Sequence, residues 1–374
     1  MSTNRVFIAA AGSGKTTLIV DEVLANKVEK ILITTFTLAN EQSIRQKLIK
    51  ANNGVSPLNV TVQTWFSFLI EHGIRPYRFW NERVSGMQLV ATTSGFRFNL
   101  KNGRPVYWGE KDFDKYYFDP NMNVYSDKLP KLVYRCNEQS SGCVIKRLEK
   151  IYQHIYIDEV QDMAGWDLEL IKLFLKSQIS LTMVGDPRQT VYLTHHDNKN
   201  SKYAYGKIKE YIQLECAKIQ CPIDDTTLRY SYRNAVDICA LSSKLFPSYP
   251  ACTSRLENVN SHMGIYFVKS KNVQKYCETF SPLQLRLRRD VKIYANAPSM
   301  TFGESKGLES KHVLLYPTED MLKWLCGQKV DLKDKTRAQL YVALTRAFFS
   351  VGIVVSNDFL EVMNGIKAWK NSDL

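Results

Sequence analysis

An α/β fold with parallel sheets is what the 374-residue sequence predicts, on three observations. Short apolar runs alternate with amphipathic stretches, the runs end in polar motifs, and the first run passes through a small-residue loop into a helical pattern. Val6 to Ala9 reads as the first strand, followed by the loop and a helix that begins near Lys15. Ile31 to Thr35 is the next strand, Leu38 to Lys50 a polar helix, and Ile155 to Ile157 and Leu181 to Val184 two further strands. A second half opens near Pro222, with strands at Ile265 to Val268, Val291 to Tyr294, Val313 to Tyr316 and Val351 to Val355. The length suits two domains of ordinary size, expected at residues 1–220 and 221–374. Ligands of open parallel sheets bind at the carboxyl ends of the strands, so the motifs that follow these strands are expected to converge.

Between Phe68 and Ile155 the alternation breaks down, and residues from about 75 to 150 read as an insertion in the first domain. Its aromatics, Trp80, Tyr107, Trp108, Phe113, Tyr116, Tyr117 and Phe118, fit either a small satellite core or a base-stacking surface. A hydrophobic share of 44% with 23% charged residues excludes a disordered or fibrous chain. Fifty Lys and Arg against 37 Asp and Glu leave a net charge of +13, which suits a solvated basic surface or a polyanionic partner. The eight cysteines form no CxxC pair, so neither a zinc site nor a disulfide framework is expected. The loop is reached by Ala9, leaving no room for a secretory leader, and no run of about 18 apolar residues follows, so a cytoplasmic protein without membrane contact is expected.

The chemistry starts at Ala9-Ala10-Ala11-Gly12-Ser13-Gly14-Lys15-Thr16, which fits a phosphate-binding loop with Ala where the first Gly is usual. Small residues let backbone N–H groups close around phosphate oxygens at a helix N-terminus. Ala11 to Thr17 are therefore the nucleotide-binding candidates, with Lys15 reaching the β- and γ-phosphates and Thr16 offering its hydroxyl to Mg²⁺. The apolar run Ile155-Tyr156-Ile157 delivers two carboxylates, Asp158 to hold Mg²⁺ and Glu159 to polarise the attacking water as general base.

The string Asp158-Glu159-Val160-Gln161-Asp162 resembles the UvrD/Rep branch of superfamily-one helicases, and the resemblance runs over nearly the whole chain in the family's motif order. It implies two RecA-like P-loop NTPase domains with the ATP site in the interdomain cleft. Ile33 to Thr37 with Ala39 resembles a segment that contacts single-stranded DNA, through Thr35 and Phe36, and Thr64 to Phe68 resembles the next such element, through Thr64 and Trp65. The ring of Trp65 is equally suited to core packing. Val184 to Tyr192 resembles the coupling motif, in which Gln189 senses the γ-phosphate and Tyr192 stacks on a base. Leu228 to Arg233 resembles the motif that opens the second domain, with Arg233 on the γ-phosphate. In Thr301 to Glu309 the backbone at Gly307 and the Glu309 carboxylate face nucleotide, and Thr301 faces DNA. Tyr341 to Ala347 resembles the last motif, with Arg346 as arginine finger.

The resemblance thus implies an ATP- and Mg²⁺-dependent motor on single-stranded DNA, of 3′ to 5′ polarity, in DNA repair or phage defence. Lys15, Asp158, Glu159, Gln189, Arg233 and Arg346 make a complete catalytic set. Three departures stand out. No Gln precedes the phosphate loop to read adenine, Phe66 and Gly303 occupy positions where His is common, and the 67 residues between Arg233 and Thr301 are too few for the family's large accessory subdomain. Weak duplex unwinding is expected, and no nuclease segment is apparent. Two other functions compete: a nucleotide-switched subunit that regulates a partner nuclease or other defence or repair protein, and an RNA-directed motor.

Overall fold

The computed structural model describes residues 3–77, 88–93, 95, 97–192, 198–257, 261–360 and 362–370; Trp80 lies outside them. Its contacts separate two units, one of residues 1–7, 16–185 and 193–223, the other of residues 8–15, 186–192 and 224–374.

In the first unit, β1 (Arg5–Ile8), α1 (Lys15–Ala25), β2 (Ile31–Thr35), α2 (Leu38–Ala51), β3 (Val60–Thr64) and the single turn α3 (Trp65–Phe68) follow in order. The insertion supplies β4 (Gln88–Thr93), β5 (Phe98–Lys101), β6 (Arg104–Tyr107), α4 (Phe113–Tyr117), β7 (Asn123–Tyr125), α5 (Leu129–Gln139) and α6 (Cys143–Ile151). The main sheet then resumes with β8 (His154–Asp158), α7 (Trp166–Leu175), β9 (Ser180–Gly185), α8 (Ile208–Glu215) and the short β10 (Ile223–Asp224). Strand order is β10-β1-β9-β8-β2-β3. β2 pairs in parallel with both β3 and β8, and β8 with β9. Every residue of β2 and β9 is buried, as expected where helices cover both faces of a parallel sheet. Gly185 closes β9 where a β-carbon would overlap the Gln161 side chain and come within 3.1 Å of its backbone nitrogen. Only glycine lets the end of β9 approach the turn after β8 this closely.

The second unit contains β11 (Tyr230–Ser231), α9 (Val236–Lys244), β12 (Thr253–Ser254), β13 (Gly264–Lys269), α10 (Val273–Phe280), β14 (Leu283–Arg286), β15 (Ser299–Thr301), β16 (Ser310–Leu315), α11 (Glu319–Leu325), α12 (Asp334–Thr345), β17 (Ala347–Val355), β18 (Val362–Met363) and β19 (Ile366–Ala368). Its sheet has the order β15-β14-β16-β17-β13-β19-β18, parallel except for the last pair. One expectation fails here. Val291 to Tyr294 forms no strand, because the side chain of Gln284 takes both backbone groups of Tyr294, accepting from its N–H at 3.0 Å and donating to its carbonyl at 2.7 Å. The ladder positions go instead to β14 and β15, which the apolar pattern did not mark.

In the insertion, Tyr117 and Phe118 are wholly buried and pack with Phe113, whose ring centroid lies 4.8 Å from that of Tyr117. This is a satellite core. Glu110 ties it to α5, accepting from Tyr117 Oη at 2.7 Å and Arg135 Nε at 2.9 Å, with Lys131 Nζ at 2.8 Å. Burial opposes its charge, but these bonds outweigh burial and hold the carboxyl at about 2, against an ordinary 4.5. A lowered carboxyl pKa means stability that is fully present above pH 4.5 and lost as pH falls through about 2. Glu110→Gln is expected to lower stability near neutrality by about 1 kcal/mol once solvent screening is discounted. In urea unfolding the gap to the wild type should close as pH approaches 2; a gap independent of pH would contradict the assignment.

Candidate functional site

The first unit presents the two carboxylates at the carboxyl end of β8. Asp158 is buried and its Oδ1 accepts from the Glu159 N–H at 3.0 Å. Glu159 sits in the left-handed region at φ 58°, an uncommon conformation for a residue with a β-carbon and one that clusters at functional sites. Its carboxylate also accepts from Gln161 Nε2, which holds the partly exposed side chain in place. Thr16 and Thr17 lie in the first turn of α1.

The second unit, as its contacts define it, holds the loop Ile8–Lys15. Gly12 and Gly14 have φ of 69° and 83°, and a β-carbon on Gly12 would stand 2.5 Å from Arg233 Cβ. Ala9, Ala10 and Ala11 are buried, so outside groups hold the loop. The Ala10 N–H donates to the Leu228 carbonyl at 2.7 Å, the Tyr232 N–H to the Gly12 carbonyl at 2.9 Å, and Arg188 Nη2 to the Ala9 carbonyl at 2.5 Å. Ser13 Oγ is buried without a hydrogen-bond partner. Positive-φ glycines, an unsatisfied buried hydroxyl and the start of an 11-residue helix at Lys15 together fit a bound polyphosphate.

A buried chain of hydrogen bonds joins this loop to Gln189, expected to sense the γ-phosphate, and to Arg346, expected as the arginine finger. The Ala11 N–H donates to Tyr341 Oη at 3.2 Å, and Tyr341 Oη donates to Asp186 Oδ2 at 3.0 Å. Gln189 Nε2 donates to the same oxygen at 2.8 Å, and Gln189 Oε1 accepts from Arg346 Nη2 at 3.1 Å. Arg188 closes on Asp186 Oδ1 at 2.7 Å. Burial opposes the charge of Arg188, but Asp186 outweighs it and raises its pKa. Burial, with Asp186 alongside, pushes the Tyr341 phenol well above its ordinary value, so it remains a donor. Asp186, Arg188 and Tyr341 were not among the expected site residues, although each stands inside a motif string. Arg233 pairs with Glu309, the two residues expected to face nucleotide meeting each other. Gly307, at φ 86°, turns the chain just before Leu308, whose carbonyl accepts from Arg346 Nη1 at 3.1 Å.

The residues expected to touch DNA divide. Trp65 has no exposed surface. Its Nε1 donates to buried Asp167 Oδ1 at 2.7 Å, and its ring packs on Phe68 and Phe174. The stacking role is therefore corrected: the indole anchors α3 to α7 and offers no face to a base. Thr64 is buried too, its hydroxyl capping α3 by accepting from the Ser67 N–H at 3.2 Å. The Thr35 side chain points into the core, its hydroxyl without a hydrogen-bond partner. Neither threonine hydroxyl is presented to a strand outside. Phe36 remains partly exposed and meets Phe66 edge to face at 5.5 Å. Tyr192 is 51% exposed, and a β-carbon at Gly303 would overlap its hydroxyl, so the glycine makes room for this ring. Thr301 is engaged locally, its N–H and hydroxyl both reaching Glu304 Oε2 at 2.9 Å.

The profile of the UvrD/REP helicase N-terminal domain matches residues 114–195, the segment that contains Asp158, Glu159, Gln189 and Tyr192. The probable DNA helicase II homolog of Mycoplasma capricolum is 24% identical over 234 residues, covering 50% of this chain and 32% of its own length. The ATP-dependent DNA helicase Rep of Escherichia coli is 29% identical over 126 residues, covering 30% and 18%. The probable DNA helicase of Mycoplasma pneumoniae is 22% identical over 426 aligned residues, covering 91% and 78%. The chain spans about a third or less of the length of the first two. Its sequence is UvrD/Rep-like. Among the described residues, no helix is long and apolar enough to cross a membrane.

Two substitutions test the geometry. Trp65→Phe leaves the buried Asp167 carboxylate short of a donor and should destabilise the fold by about 1–3 kcal/mol; unchanged denaturant unfolding would mean that the indole is not structural. Tyr341→Phe removes the hydroxyl between Ala11 and Asp186, strands a buried N–H and should cost a similar amount, about 1–3 kcal/mol. Its nucleotide affinity should fall in titration with a fluorescent analogue, and unchanged affinity would detach this network from the loop.

Proposed function

We propose that this UvrD/Rep-like chain hydrolyses ATP with Mg²⁺ and uses the cycle to move along single-stranded DNA. The observation that carries the reading is the buried chain through Tyr341, Asp186 and Gln189, which ties the phosphate-loop backbone to Arg346 within one unit. An ATPase that must report the presence of the γ-phosphate needs such a connection, because a switch responds only to groups whose contacts differ between its states.

The roles follow the chemistry of each group. The loop from Gly12 into the first turn of α1 would cradle the phosphates, with Lys15 as the point charge on them. Thr16 and Asp158 would hold Mg²⁺, which when bound neutralises developing charge. Glu159, fixed by its left-handed backbone and by Gln161, would orient water as general base. Gln189 would accept from the attacking water through Oε1 or donate to the γ-phosphate through Nε2, and Arg233 and Arg346 would supply positive charge as it develops. Glu309 and the Gly307 turn would face the nucleotide. Phe36 and Tyr192, the partly exposed rings, suit stacking on bases, which tolerates any sequence. We extend the proposal, on the family resemblance, to 3′ to 5′ movement in DNA repair or phage defence.

The test is ATP hydrolysis with and without single-stranded DNA, with RNA of matched length as a separate arm. Wild-type turnover should rise with DNA. Glu159→Gln should lower kcat by about 10²–10⁴ while strand binding persists. Hydrolysis by Lys15→Ala at the wild-type rate would sink the site, and stimulation by RNA alone would turn the reading to an RNA-directed motor.

A further inference from the structure

The insertion carries a surface that the proposed motor does not use. β5 and β6 form a hairpin in the register Phe98↔Tyr107 to Lys101↔Arg104. Its turn, Asn102-Gly103, has both residues at positive φ, 53° and 72°, as a tight two-residue hairpin connection requires. β6 is exposed along its whole length. From Arg97 to Gly109 the chain has three cations, Arg97, Lys101 and Arg104, and no carboxylate.

Beside the hairpin opens a cleft of about 180 Å³ lined by Arg97, Tyr107, Trp108, Lys115, Tyr116 and Lys128. Three rings and three cations thus line the same cleft. Lys115 Nζ lies 3.9 Å from the Trp108 ring centroid and Lys128 Nζ 4.8 Å from that of Tyr116. Lys128 also has Asp127 at 3.3 Å, and Asp119 and Tyr125 act on Arg97. Glu110, close by, is taken up by Tyr117, Lys131 and Arg135. The satellite core is filled by Tyr117 and Phe118, and Tyr107 is left 61% exposed.

We propose that this cleft is a single-stranded nucleic-acid contact: one unpaired base enters beside Tyr107, Trp108 and Tyr116 while flanking phosphates lie along Arg97, Lys101, Arg104 and Lys115. It rests on the motor reading for its substrate and adds a grip outside the motif set. The cavity is smaller than the roughly 300–1,000 Å³ of drug-sized ligand sites, which suits a single flat ring. Rings beside cations are the combination that holds single strands without sequence preference. A duplex keeps its bases stacked and could use only the cations. An acidic peptide would likewise leave the ring faces unused.

The experiment measures binding of the full chain to an oligothymidine strand and to a duplex of equal length, at several salt concentrations. Tyr107→Ala should weaken strand binding about tenfold, the scale of removing one stacked ring, with duplex binding and DNA-free ATP hydrolysis unchanged. Lys101→Glu with Arg104→Glu should flatten the salt dependence by about one unit for each phosphate that is no longer neutralised. All three positions are exposed, so a native circular dichroism spectrum is expected for both variants. Strand binding by Tyr107→Ala indistinguishable from wild type, or equal losses on strand and duplex, overturns the inference and leaves the motor intact. A wild type that binds no strand and gains no turnover from DNA removes the motor and the cleft together.

Discussion

A carboxylate without solvent exposure must be met by donors, and Asp186 is the group on which the candidate site depends. It is wholly buried and accepts from at least four donors: Arg188 through Nε and its backbone N–H, Gln189 Nε2 and Tyr341 Oη. Desolvating a charge costs several kcal/mol unless such bonds replace water, and removing one partner of a buried pair typically costs about 3–5 kcal/mol. The penalty makes the arrangement directional. Each donor is held where Asp186 needs it, and each has a second attachment: Tyr341 to the Ala11 N–H, Arg188 to the Ala9 carbonyl, Gln189 to Arg346.

The alanines at the start of the loop explain why outside attachments are needed. Ala9, Ala10 and Ala11 are buried but too small to lock a turn by their own packing. Position is set through the backbone instead, by Leu228, Tyr341 and Arg188. On the proposed reading the same smallness would leave room for phosphate oxygens, with pre-organisation supplied by side chains that would not crowd the anion.

Much of this was legible in the sequence, and the misses have physical causes. Strands such as Ile31 to Thr35 and the helix start at Lys15 coincide with the observed elements, because full burial and a glycine loop each leave an unambiguous signature. Val291 to Tyr294 failed since a single side chain, Gln284, supplied the bonds that a neighbouring strand would have made. At the site, motif letters name residues but not the directions of their side chains. Thr64 and Trp65 lie next to each other, yet one caps a helical turn and the other reaches Asp167, 102 positions away. Asp186 and Tyr341 went unassigned for the converse reason: their importance is a matter of partners 155 residues apart, which no local pattern reveals.

The Arg233–Glu309 pair shows how the proposed site can be both ordered and ready. The backbone at Arg233 is confined by Gly12, where no β-carbon fits, and its N–H is fixed to Ser231 Oγ at 3.3 Å. The guanidinium is held far less tightly. Its partner carboxylate keeps 43% of its side-chain surface in solvent, and an ion pair of that exposure is worth about 1 kcal/mol or less. A polyphosphate offers several charged acceptors with fork geometry suited to arginine, which outweighs one solvated carboxylate. The fixed backbone means that exchange of partners requires only side-chain rotation. On the proposed reading Glu309 would act as a counterion that keeps Arg233 from collapsing onto other acceptors, and the weakness of the exposed pair would let the arginine be recruited.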